Sequence, residues 1–149
     1  MRNSFLFLFI ICSFFACKKN EGTVSIETLS GKWTTGGYDF IMYNASGAVV
    51  SHMVADAIKT YWTFDQTHLR LSNDINLDVK TSGYKVINRS GVRTLDIANA
   101  EVATYTSWTI DEESSNRLVI SSQITDKKQL NYGQNQTAAR GVKIIYLSK

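Results

Sequence analysis

The hydrophobic and polar positions divide the chain into two unlike parts. Residues 5–15 are an almost continuous apolar run, broken only by Cys12 and Ser13, and after Cys17 the chain turns abruptly polar with Lys18-Lys19-Asn20-Glu21-Gly22. From about Ile26 onward, short β-rich runs recur between Gly, Asn, Ser and Asp. No window of about 12 residues there holds a helical period. The chain contains no proline, so nothing blocks a ladder of strand hydrogen bonds.

The runs predict nine strands. Residues 32–35 and 38–43 form one long strand kinked at Gly36-Gly37. Further strands are expected at 48–54, 60–65, 68–72, 84–88, 94–98, 104–110, 117–124 and 142–147. Asn44-Ala45-Ser46-Gly47 and Asn88-Arg89-Ser90-Gly91 share the pattern Asn-x-Ser-Gly. Asn starts a turn and Gly accepts the left-handed conformation that closes a longer hairpin loop. Gln66-Thr67 leaves room only for a tight hairpin. Two stretches fit less well. In 73–82, Ile75, Leu77 and Val79 alternate with Asn76, Asp78 and Lys80, as in a further strand or an edge. The polar stretch 126–141 reads as a mobile loop at one end of a barrel, with a short helix as the alternative.

Antiparallel strands joined by short turns make a meander, and about eight of them hide their edges best by closing. The fold class expected is therefore all-β, an antiparallel up-and-down β-barrel of about eight strands. A β-sandwich is the competing architecture, because strand counts alone do not separate the two. Eight strands enclose an interior that side chains fill or that holds one small ligand.

The apolar run at 5–15, preceded by Arg2, has the length of a secretory signal and is too short for a spanning helix of about 20 residues. Phe14-Phe15-Ala16-Cys17 resembles the lipobox of bacterial lipoproteins, with the small Ala16 just before Cys17. The resemblance implies cleavage between Ala16 and Cys17 and a diacylglyceryl group on the Cys17 sulfur, with acyl chains such as palmitate holding the protein to a membrane. Lys18 is not the acidic residue tied to inner-membrane retention in some bacteria, which implies outer-membrane residence, with the periplasmic or surface face left open. An ordinary signal peptide cut elsewhere is the alternative. The domains expected are a signal peptide at 1–16, a lipidated tether at 17–25 and a barrel at 26–149.

Of the 149 residues, removal of the signal leaves 133, enough for one domain with its own core. Arg2 leaves with the signal, which takes the net charge from +3 to +2. The basic residues are scattered, so no nucleic-acid partner is expected. Both cysteines, Cys12 and Cys17, precede the domain, which therefore has no disulfide and no thiolate ligand.

Leu29-Ser30-Gly31-Lys32-Trp33 resembles the head of the first strand in lipocalin-like domains, where Gly-x-Trp is found. Tyr61-Trp62-Thr63-Phe64, Trp108-Thr109-Ile110 and the closing Ile144-Ile145-Tyr146-Leu147-Ser148-Lys149 are similar to segments of small lipocalin-like lipoproteins of Bacteroidota. The resemblance implies that Trp33 packs across the closed end of the barrel, with Arg140 as its candidate partner.

Little in the chain suggests chemistry. His52 and His68 are the only histidines. A zinc site needs about three protein ligands, so no metal is expected and each His is read as a surface or rim residue. Asp111-Glu112-Glu113 with Ser114-Ser115-Asn116 reads as a solvated hairpin. There is no nucleophile elbow and no phosphate loop, so no cofactor and no catalysis are expected. Trp62 and Phe64 share one face of a strand, as do Trp108 and Ile110. If those faces point inward, Thr63, Ser107 and Thr109 point outward; the reversed pleat gives a hydroxyl-lined interior. Trp62, Phe64 and Trp108 are the candidate ligand-binding residues. The functional expectation is a monomeric, lipid-anchored protein that binds a small apolar or amphipathic molecule. The alternative is an envelope interaction or inhibitor module with a filled barrel. An enzyme is the least supported class.

Overall fold

The computed structural model describes residues 24–56, 58–74 and 79–149. The signal run, Ala16, Cys17 and the alternating residues 75–78 lie outside them. The described strands are β1 (Val24–Glu27), β2 (Gly31–Tyr43), β3 (Val49–Ala55), β4 (Thr60–Phe64), β5 (His68–Asn73), β6 (Lys80–Arg89), β7 (Val92–Ile97), β8 (Ser107–Glu113), β9 (Arg117–Ile124), β10 (Asn131–Gly133), β11 (Gln136–Thr137) and β12 (Arg140–Ser148).

Eight of these, β2, β4 to β9 and β12, pair antiparallel in chain order, and β12 returns to β2. The result is a closed, lipocalin-like up-and-down barrel rather than a sandwich. β2 is the long strand expected. β12 follows it along one edge, and its other edge takes β4 at residues 31–34 and β3 at residues 38–43. Tyr146 opposes Gly37 while Leu147 opposes Thr35, so Gly36 is an extra residue on β2. Such a bulge bends a strand and sharpens its twist; beyond it β2 stays paired with β12 and exchanges β4 for β3 on its other edge.

Three details differ from the sequence reading. β1 begins at Val24 and pairs with β6, so Val24 and Ser25 belong to the sheet and not to a tether. Arg93 holds this short strand in place by donating to Glu27 at 2.6 Å. Second, the two Asn-x-Ser-Gly turns are not alike. Asn44 closes a longer loop, its Oδ1 accepting from the amides of Ser46 and Ala48. Ser90 and Gly91 form a two-residue hairpin with φ of 53° and 87°. Third, 126–141 is a folded arm rather than a bare loop. It has a single 3₁₀ turn at Lys127–Gln129 and the small β10–β11 hairpin. Its few apolar residues decide this: Leu130 and Ala138 are fully buried with Met42 and Ile124 in a second small core.

The main core fills the closed end of the barrel. It takes Leu29, Trp33, Phe64 and Leu69 from the first half of the chain and Val86, Leu95, Leu118, Ile120 and Leu147 from the second. Of the two pleats that the sequence allows, the one with the aromatic residues inward is observed. Trp62, Phe64, Trp108 and Ile110 are buried, while Ser107 is exposed and Thr63 and Thr109 are half-buried.

A candidate ligand site at the barrel mouth

Above the packed floor lies a cavity of about 450 Å³, open at the barrel mouth. The β3–β4 link, with Asp56 and Ile58, forms one side of its rim. The loop before β8, with Val102 to Tyr105, forms the other. That loop is pinned to β6: Lys80 Nζ donates to the Glu101 carbonyl at 3.1 Å, and the Asn99 amide donates to Ser82 Oγ at 3.0 Å.

The wall is aromatic. Trp62 on β4 and Trp108 on β8 meet edge to face, with ring centroids 6.2 Å apart at 86°. Tyr105 stands edge-on to Trp108 at 5.5 Å. The polar tips of Trp108 and Tyr105 are engaged by the protein. Trp108 Nε1 donates to the Tyr105 carbonyl at 2.9 Å, and the Tyr105 hydroxyl donates to Gln129 Oε1 at 2.6 Å. Buried Trp and Tyr satisfied in this way offer their apolar faces to an occupant. Leu71 and Ile145 complete the apolar lining, and Tyr38 closes the β2 side.

One cation projects into this wall. Leu147 and Ile145 on β12 are buried in the core, and the two-residue period puts Lys143 on the same inward face. Its ammonium lies 4.6 Å from the Tyr38 ring centroid and 5.6 Å from that of Tyr105. Burial pushes the Lys143 pKa down from 10.5, because desolvation disfavours the charged form. Burial, and then the charge of Asp126, push the Tyr105 hydroxyl up from 10.0.

Trp62 and Trp108 therefore line the cavity. Phe64, one pleat deeper, does not; it packs edge-on against Tyr84 at 5.1 Å, inside the floor. Trp33 plugs the closed end at 1% exposure and donates to the Ser30 carbonyl at 3.3 Å. Its cationic neighbour is Lys149, 4.4 Å above the ring, and not Arg140, which stacks on Tyr43 at 3.9 Å. His52 and His68 are exposed, each beside one carboxylate, Asp39 at 3.3 Å and Asp65 at 3.8 Å. Among the described residues no cluster of three or more His, Cys, Asp or Glu side chains is placed to hold a metal. Tyr38, Tyr105 and Lys143 went unnoticed in the sequence. The available signal was a lysine in step with Ile145 and Leu147 on the last strand.

Comparison with protein-family models, with curated proteins and with solved structures returned no match.

Proposed function

We propose that this protein is a lipid-anchored envelope lipoprotein whose barrel holds a small apolar or amphipathic molecule in its mouth. The cavity carries this reading. Its volume of about 450 Å³ falls within the range of ligand sites, roughly 300–1,000 Å³. Its wall is mixed: Trp62, Trp108, Leu71 and Ile145 give it apolar faces, and Thr35, Thr60, Thr104, Asp56 and Lys143 add polar groups, a lining that suits an amphipathic molecule. The packed floor below it keeps the cavity shallow, which suits a small molecule better than a long lipid.

The position of β1 adds an orientation. Val24 pairs with Arg89 at one end of β6, while Lys80 at the other end of β6 ties to the loop at the cavity rim. A tether from a lipidated Cys17 thus reaches the barrel at the end away from the mouth. The mouth then faces the aqueous side and not the anchoring membrane, where a ligand is exchanged with solvent or with a partner.

Two measurements test the two halves. Metabolic labelling of the host with alkyne-palmitate is expected to tag the wild-type chain and leave Cys17→Ala unlabelled; label retained by the variant contradicts anchoring at Cys17. The apolar fluorophore N-phenyl-1-naphthylamine, titrated onto the full chain in nanodiscs with empty nanodiscs as blank, is expected to quench tryptophan emission and to saturate at one probe per chain. Quenching no different from the blank contradicts the carrier reading.

A further inference from the structure

We propose that the mouth selects an amphiphile with one negative charge, a carboxylate, and that Lys143 holds that head group. This deepens the carrier reading and rests on it. The period of β12 aims Lys143 inward, directly across the ladder from Phe40 on β2 and from Ser122 on β9. Neither neighbour offers a counter-charge. Among the described residues the Lys143 ammonium has no carboxylate within 4.0 Å and no hydrogen-bond acceptor, so its three donors are unclaimed by the protein.

The groups that do face it are the rings of Tyr38 and Tyr105. Ring faces attract a cation but leave its N–H donors without acceptors. The carboxylate in the cavity lining, Asp56, is exposed on the rim. A half-buried cation costs desolvation energy that an oppositely charged, hydrogen-bonded partner offsets. Here the protein supplies no such partner, and the apolar wall of Trp62, Trp108, Leu71 and Ile145 adjoins the charge. A carboxylate at Lys143 with an apolar body against the two tryptophans satisfies both features. One cation matches one negative charge, so a dianionic head would bring an unbalanced charge into the same wall.

A matched pair of probes tests this, decanoate and decan-1-ol, read by tryptophan emission of the full chain in nanodiscs against empty nanodiscs. The wild-type protein is expected to bind decanoate about tenfold more tightly than decan-1-ol, the scale of one charge-assisted hydrogen bond. Lys143→Met is expected to remove that preference by weakening decanoate alone, and Lys143→Arg to keep it. Unchanged decan-1-ol affinity in Lys143→Met shows that the barrel is intact. Equal wild-type affinities, or a decanoate preference that survives Lys143→Met, would mean that Lys143 only extends its charge to solvent, and would overturn the assignment while leaving the carrier reading in place. Binding of neither probe would overturn both.

Discussion

Trp62 and Trp108 meet edge to face across the barrel mouth, 6.2 Å apart, and the cavity exists on their upper side. The contact joins β4 to β8, strands that are not neighbours in the sheet. It therefore braces the barrel and forms the wall of the site at once.

Removing one partner should expose both roles. Trp108→Ala is expected to cost about 3–5 kcal/mol, as large aromatic truncations in cores do. It should also abolish saturable probe quenching. Trp108→Phe keeps an aromatic body and should lose much less stability. Urea unfolding of the two variants checks this; equal stability of Trp108→Ala and the wild type would mean that the mouth is not packed as described.

Arg93 clamps β1 to the barrel by donating to Glu27 and to Glu113, each at 2.6 Å. The hydrogen bond from Asn88, together with Arg93, holds the Glu27 carboxyl below its ordinary value of 4.5. The unfolded chain therefore takes up that proton first as pH falls. The stabilisation is complete above the unfolded value and is lost as pH drops through the folded one. Glu27→Gln should flatten the decline of melting temperature between pH 6 and pH 3. An identical pH profile in the variant would contradict the clamp.

Gly141 on β12 sits against the second small core, opposite Met42 and Ile124. A Cβ placed there would lie 2.7 Å from the Phe40 ring and 2.9 Å from Leu130. Gly141→Ala should overpack this point and destabilise by about 1–3 kcal/mol. Denaturant midpoints measure the effect, and a neutral or stabilising outcome would show that the arm at 126–141 yields without cost.

The hairpin at Ser90-Gly91 has positive φ at both positions. Asn is the residue that tolerates the first of these best, and Asn-Gly is the preferred pair for such a turn. Ser90→Asn should stabilise by about 0.5 kcal/mol, provided that Asn88 still accepts from the Gly91 amide at 3.0 Å. A lower urea midpoint would mean that the turn is not of this type.

Much of the fold was legible because the strand period is short and unforgiving. Alternation at Trp62-Thr63-Phe64 and Trp108-Thr109-Ile110 put the apolar residues of each strand on one shared face, and the Gly36-Gly37 kink marked the bulge that β2 needs. The same period fixes the face of a residue but not its depth. Phe64 was therefore grouped with Trp62 although it lies in the floor. β1 was missed because four residues, two of them polar, carry too little pattern. Its place depends on Arg93, 66 positions away in the chain. Lys143 escaped notice because a lysine in a strand is ordinarily read as a surface residue. Lys149 was overlooked beside Trp33 because its approach depends on the pairing of β12 with β2, which brings residues more than a hundred positions apart together.

A carrier's mouth holds a molecule when the protein leaves its host. Native mass spectrometry of the full chain, released from its host's membranes in detergent micelles without delipidation, addresses this directly. The expected spectrum shows the mature chain with its lipid anchor plus one further small mass, lost on denaturation and reduced in Trp108→Ala. A spectrum of the anchored chain alone, with no added mass in the wild type under gentle ionisation and no binding of decanoate or N-phenyl-1-naphthylamine, would contradict a ligand-carrying barrel and favour a module that acts through protein contacts.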